Sequence, residues 1–313
     1  MGSLPQPNLP VIDLSVKNLN FTSSSHVTTC DEVVRALEEY GCFVAIYDGV
    51  SQELHDAIFR ASQELFDLPI EVKVLNTSDT PMHGYVGQIP ANPLYEGLGI
   101  ENATTKEGVE NFTKTICPVG NESFSENVLM YTKAVSELDQ IVMRMVAKNY
   151  GIQEHYESLR RATTYLFKLL KYSSPKGDER EIGVVPHKDT SFMSILHQHE
   201  IKGLEIQTKD GEWIEVDPLP SSFIVMAGEA CMAWTNGKIE PTCHRVMMQR
   251  DKDRYSLGLF TFIRDLKIQT PQELVDNNHP LQYDAFDHYK YLHYHASSEG
   301  QKSKFPVKSY CGT

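Results

Sequence analysis

Val185-Pro186-His187-Lys188-Asp189-Thr190, with Cys243-His244-Arg245-Val246-Met247-Met248 and Arg254-Tyr255-Ser256-Leu257-Gly258-Leu259-Phe260 further on, decides how this chain is read. Side chains two apart on a β-strand share a face, so His187 and Asp189 point together and Lys188 points away. The His244 stretch is apolar and β-prone, and reads as a strand folding back beside the first. Arg254 and Ser256, again two apart, share a face of a third strand. Outward from these, β-prone segments recur at 165–172, 182–185, 192–197, 204–208, 213–216 and 223–226, divided by turns. Lys209-Asp210-Gly211-Glu212 is read as a hairpin turn between two of them. Together with the His244 and Arg254 strands they predict a mainly β protein with flanking helices, its core a sandwich or jelly roll.

Two imidazoles and one carboxylate gathered on one face leave the opposite side of an ion open. That is the facial arrangement of non-heme Fe(II) oxygenases, in which the open positions take a bidentate cosubstrate and then dioxygen. A guanidinium fork clasps a carboxylate with two bonds, and a neighbouring hydroxyl adds a third. Arg254 and Ser256 therefore suit the distal carboxylate of 2-oxoglutarate. An isolated H-x-D recurs by chance about once in a chain of this size, so the specificity lies in the ordered set of five residues. Two histidines and an aspartate also suit Zn(II), which leaves a zinc hydrolase as one alternative, although it gives Arg254 and Ser256 no task. A non-catalytic metabolite-binding protein on the same scaffold is the other. The pairs His197/His199 and His293/His295 have no evident third ligand and are read as surface or packing histidines.

At 313 residues, with no contrast in composition between its halves, the chain is read as a single catalytic domain. Its parts are an N-terminal helix and strand extension over about 1–160, the core with the iron site over about 163–265, and a C-terminal helix and tail over about 271–313. A net charge of -13, from 29 basic and 42 acidic residues, argues against nucleic acid or an anionic membrane as partner. Six cysteines without a C-x-x-C pair, and no signal-like start in MGSLPQPNLP, point to a cytoplasmic protein. No apolar run approaches the roughly 18 residues that span a bilayer. The sequons at Asn20, Asn76, Asn102, Asn111 and Asn121 are accordingly read as silent. The tail Tyr310-Cys311-Gly312-Thr313 is neither a prenylation box nor a peroxisomal signal. A monomer acting on a small molecule is expected.

Residues 9–14 read as a strand, 30–40 as a helix stopped by Gly41, and 42–47 as a second strand. Ser51 is placed to cap a helix carrying Leu54, Ile58, Ala61 and Leu65. Residues 76–125 show no period and read as an irregular excursion in which a substrate lid could sit. Val128, Tyr131, Val135, Leu138, Val142 and Met145 stripe a long helix that stops near Gly151. Beyond Pro271, Phe286, Tyr289, Tyr291, Leu292 and Tyr294 predict an aromatic helix packed over the mouth of the roll.

With these motifs in place the chain resembles the plant 2-oxoglutarate- and Fe(II)-dependent dioxygenases over nearly its whole length. The branch it resembles contains the alkenyl- and hydroxyalkyl-producing glucosinolate dioxygenases, through Gly203-Leu204-Glu205-Ile206-Gln207-Thr208-Lys209-Asp210, His244-Arg245-Val246-Met247-Met248, the Arg254–Phe260 run and Tyr310-Cys311-Gly312. The resemblance implies a double-stranded β-helix fold, iron on His187, Asp189 and His244, and 2-oxoglutarate on Arg254 and Ser256. It also implies dioxygen as oxidant, ascorbate as reductant, and hydroxylation or desaturation of an unactivated C-H bond with release of succinate and carbon dioxide. Because Asp189 is present, the extra halide position of related halogenases is missing. Many relatives carry Asn-Tyr-Tyr-Pro where this chain has Lys171-Tyr172-Ser173-Ser174-Pro175, and Tyr172 is taken as the substitute cosubstrate contact. Lys188 replaces a common threonine, and Asp48 stands where many relatives have histidine. Tyr85, Phe112, Phe262 and His293 are the candidates for lining an apolar substrate cavity.

Overall fold

Gly41 shows how closely the first elements are held. It follows helix α1 (Ser24–Tyr40) at φ 72°, and a Cβ there would lie 2.3 Å from the Glu240 carbonyl oxygen. Only glycine meets both demands. The computed structural model describes residues 9–18, 24–177, 179–250 and 252–313; the start MGSLPQPN and the Asn20 sequon lie outside them.

Strand β1 (Val11–Asp13) precedes α1, and β2 (Cys42–Ile46) follows it. Helix α2 (Gln52–Phe66) is capped as expected, Ser51 Oγ accepting from the Leu54 N–H at 3.2 Å. After α3 (Ile70–Lys73) come β3 (Val86–Ile89), β4 (Asn92–Glu101) and α4 (Lys106–Ile116). Helix α5 (Glu122–Asn149) buries the whole predicted stripe, and α6 (Gln153–Arg161) leads into the core. That core consists of β5 (Thr163–Tyr172), β6 (Glu181–His187), β7 (Met193–Gln198), β8 (Leu204–Gln207), β9 (Trp213–Glu215), β10 (Ser222–Ala227), α7 (Glu229–Trp234), β11 (His244–Met248) and β12 (Arg254–Ile263). Strands β13 (Lys267–Ile268) and β14 (Phe286–Asp287) and helices α8 (His288–Ala296), α9 (Ser298–Lys302) and α10 (Pro306–Cys311) complete the chain.

All eight predicted core strands form. They divide between an eight-stranded sheet, ordered β1-β2-β10-β7-β12-β5-β4-β3, and a four-stranded sheet, ordered β6-β11-β8-β9. This is the double-stranded β-helix, mostly sheet with flanking helices. The large sheet is buried on both faces. Phe167, Leu169, Leu257, Leu259 and Phe223 pack with Phe59, Val135 and Leu138 of the helices, while alternate residues face the small sheet. The turn at Lys209–Glu212 is closed by Thr208 N–H to the Glu212 carbonyl at 2.8 Å, with Gly211 at φ 87°.

The tract 76–125 is corrected. It is not an irregular excursion: β4 pairs along β5 from Tyr95↔Tyr172 to Glu101↔Leu166, and α4 follows. Pro93, Gly97 and Gly99 hide the strand, because they lower local β-propensity and leave pairing with β5 to impose it. Gly99 is required there, since a Cβ would lie 1.8 Å from the His83 carbonyl oxygen.

Candidate active site

Strand β11 lies antiparallel to β6 with His244 directly opposite His187, so the two rings stand 4.2 Å apart. Asp189 lies just beyond the end of β6, not within it, and reaches the pair by the turn of the chain. Its Oδ1 is 3.6 Å from His187 Nε2 and 3.8 Å from His244 Nε2. The three ligand atoms fall within 4.8 Å of one another, the one such cluster of His, Cys, Asp or Glu among the described residues.

Each ligand is turned by a neighbour. His187 Nδ1 lies 2.9 Å from the Val185 carbonyl, which accepts its N–H and leaves Nε2 as a bare lone pair. His244 Nδ1 faces the Thr242 carbonyl at a longer 3.5 Å. Ser194 Oγ donates to Asp189 Oδ2 at 2.6 Å, which leaves Oδ1 for the centre, and the Glu229 N–H holds the Asp189 backbone carbonyl at 2.8 Å. Burial, then the neighbouring His187, pushes the His244 imidazole down to about 4, so it is the neutral ring that a metal needs. Two neutral nitrogens and one carboxylate oxygen with free lone pairs fit Fe(II), with the cavity side open.

Arg254 sits on β12 opposite Tyr172 of β5, 2% exposed. Its Nη2 donates to Gln198 Oε1 at 2.7 Å, its Nη1 to Ser256 Oγ at 3.2 Å and its Nε to the Ile201 carbonyl at 3.1 Å. The guanidinium carbon lies 4.9 Å from the centre of the Tyr172 ring. Among the described residues no carboxylate pairs with Arg254. Burial pushes its pKa down and pushes the Tyr172 phenol up to about 12. A buried cation with donors held in a fixed fork but no anion is a receptor for one.

These groups line one cavity of about 760 Å³ between the two sheets. Phe262 lines it. Tyr85, Phe112 and His293 do not. Tyr85 donates to Glu96 at 2.7 Å and packs with the helix-side core, while its neighbour His83 reaches the cavity. Phe112 is buried against Phe124, 5.9 Å away, under α4. His293 is exposed because α8 turns Leu292, His295 and Ala296 inward instead, three and four residues apart. His295, read as a surface or packing residue, therefore lines the cavity. His197 and His199 pack as expected, against Phe223 at 4.3 Å and Phe59 at 4.5 Å, beside a smaller hollow of about 280 Å³. Sequence reasoning missed Gln198, Ser194, Lys168 and His83. Gln198 and Lys168 each carried a signal, a polar residue on the apolar strands MSILHQ and TTYLFKLLKY.

Residues 160–263 match the model of the 2OG-Fe(II) oxygenase superfamily, and residues 9–110 match that of the N-terminal region of non-haem dioxygenases in morphine synthesis. The chain is 40% identical over 300 residues to the probable 2-oxoglutarate-dependent dioxygenase AOP1.2 of Arabidopsis thaliana, covering 94% of this chain and 92% of that protein. Among solved structures it is similar to the dioxygenase for auxin oxidation of rice, with TM-score 0.83 and 27% identity over 98% of this chain and all of the other. It is also similar to dioxygenase for auxin oxidation 1 of Arabidopsis thaliana in complex with 2-oxoglutarate, with TM-score 0.79 and 29% identity over 87% of this chain and all of the other. With an open His-Asp-His cluster and a buried anion receptor in one cavity, the chain belongs to the 2-oxoglutarate- and Fe(II)-dependent oxygenases.

Proposed function

We propose that His187 Nε2, Asp189 Oδ1 and His244 Nε2 hold one Fe(II), that Arg254 and Ser256 hold the distal carboxylate of 2-oxoglutarate, and that the enzyme hydroxylates or desaturates a small plant specialised metabolite. The observation that carries this reading is the pairing, in one cavity, of free lone pairs with a buried guanidinium that has no carboxylate partner among the described residues. Bound Fe(II) would supply dioxygen activation and the oxidative decarboxylation of 2-oxoglutarate to succinate and carbon dioxide, coupled to oxidation of a C-H bond.

The chain's own residues bind, orient and exclude water. Gln198 and the Ile201 carbonyl fix two edges of the Arg254 guanidinium, so its remaining donors keep one direction. Tyr172 stacks beneath it and takes the place of the polar residue other family members use there. Ser194 holds Asp189 so that one carboxylate oxygen, and not two, faces the metal position. Leu166, Phe260, Phe262 and Leu292 form an apolar wall that keeps water from the reacting carbon.

The test is incubation with Fe(II), ascorbate, 2-oxoglutarate and heavy-isotope dioxygen in a plant metabolite extract. Labelled succinate with a product heavier by one labelled oxygen identifies a hydroxylase, and a product lighter by two hydrogens a desaturase. Succinate that never exceeds the enzyme-free background, with iron bound, overturns the reading.

A further inference from the structure

Lys168 is the one charged residue in the middle of β5, and it stands on the cavity face with Leu166, Leu170 and Tyr172. It is 7% exposed, and among the described residues no carboxylate lies within ion-pair distance of it. Nζ lies 5.9 Å from the centre of the Tyr95 ring, at the outer limit of a useful cation–π contact, and the Asp189 carboxylate acts on it only from beyond ion-pair distance. Both strands beside it present glycine at that level, Gly99 on β4 and Gly258 on β12. Their missing Cβ atoms let the His83 backbone lie against one flank and the Phe260 ring against the other.

His83 lines the same wall, 3% exposed, with its ring 4.8 Å from that of Phe262. Its Nδ1 faces Glu101 Oε1 at 3.1 Å, and its Nε2 is buried without a hydrogen-bond partner. An ammonium and an imidazole nitrogen, both unspent on an otherwise apolar wall, are costly unless something polar meets them. In the proposed reading Arg254 already takes the distal carboxylate of 2-oxoglutarate and the metal its other end, which leaves Lys168 and His83 for a second ligand in the same cavity.

We propose that Lys168 is the substrate anchor of this cavity, and that the substrate is a small carboxylic acid with an apolar body, its carboxylate on Lys168 and its hydrocarbon against Leu166, Phe262 and Leu292. This rests on the oxygenase reading and gives it a substrate class. The bias of the cavity agrees with it: Lys168, Lys188, Lys304 and Arg254 line it against Asp189 and Glu229, in a chain whose net charge is -13. Burial pulls the Lys168 ammonium down to about 8, still charged at neutral pH, and a bound carboxylate would raise it.

The test measures, by calorimetry on protein loaded with Mn(II) and 2-oxoglutarate, the binding of indole-3-acetate, phenylacetate, benzoate and octanoate, each beside its uncharged primary amide. At least one acid is expected to bind tenfold or more tightly than its amide, and K168M to abolish that preference while 2-oxoglutarate affinity stays the same. No acid preferred over its amide, or a preference that survives in K168M, overturns the anchor. Should K168M fail to fold, the acid and amide comparison in the wild-type protein decides alone. Failure of 2-oxoglutarate itself to bind the wild-type protein would sink the oxygenase reading instead.

Discussion

The two faces of the large sheet bury comparable residues but treat their polar groups in opposite ways. On the helix side most buried polar groups meet a partner close by, Ser62 Oγ of α2 being an exception. Asp139 accepts from Tyr165 at 2.9 Å and from Thr261 at 3.0 Å, Tyr131 meets His197 at 2.9 Å, and Thr132 donates to the Ala103 carbonyl at 2.6 Å. On the cavity side, β5 and β12 carry Lys168 and Arg254 without a carboxylate, and His83 Nε2, Asp189 Oδ1 and the two ligand imidazoles hold unused valences. Buried polar atoms in a native protein are satisfied. A face where several are not is therefore the face that expects a ligand.

That contrast breaks most directly at Asp189. Truncation of Asp189 to Ala should lower 2-oxoglutarate turnover on the order of a thousandfold, several kcal/mol of lost charge stabilisation. Turnover near the wild-type rate would show that the cluster is not the metal site. Next in size is Arg254→Met, which should weaken 2-oxoglutarate binding by about 2 to 5 kcal/mol, as when one partner of a buried charge pair is lost. Unchanged cosubstrate kinetics would count against the assignment.

The helix face should answer in stability and not in binding. Burial pushes the Asp139 carboxyl up to about 6, against the opposing pull of its bonds from Tyr165 and Thr261. A folded-state value above the unfolded one means that this group's contribution is full below about pH 4 and is lost as pH rises through about 6. The loss amounts to at most about 3 kcal/mol. Denaturant midpoints for Asp139→Asn should lack that decline between pH 4 and 6 while 2-oxoglutarate affinity holds; a wild-type pH profile in the variant contradicts this. The smallest expected change is at Ser194, where Ala should cost roughly tenfold to a hundredfold in metal affinity by freeing Asp189 to turn. Equal affinity in the two proteins would make Ser194 a packing residue.

What the sequence reveals follows the same division. The eight core strands were legible because their apolar runs are short, β-prone and separated by turns, and the five site residues because H-x-D, H-R-V and R-Y-S occur in order. Even there the geometry differs in one respect, since Asp189 lies past the end of β6 and not on the strand. The rest of the cavity wall, Phe262 aside, was not legible. Strand β4 is held by pairing with β5 and broken locally by proline and glycine, and Tyr85 and His293 lie two residues and one residue from the lining residues His83 and Leu292 but point elsewhere. Composition names the aromatic residues of a segment, but the phase of the strand or helix decides which of them face inward.

The central claim, that the unspent groups of the cavity face await Fe(II) and then 2-oxoglutarate, is tested most directly by anaerobic calorimetric titration of the metal-free protein, first with Fe(II) and then with 2-oxoglutarate. The account predicts one Fe(II) per chain, 2-oxoglutarate binding that tightens once the metal is present, and neither event in the Asp189→Ala protein. Absence of a stoichiometric Fe(II) site, or 2-oxoglutarate binding indifferent to the metal, would contradict it.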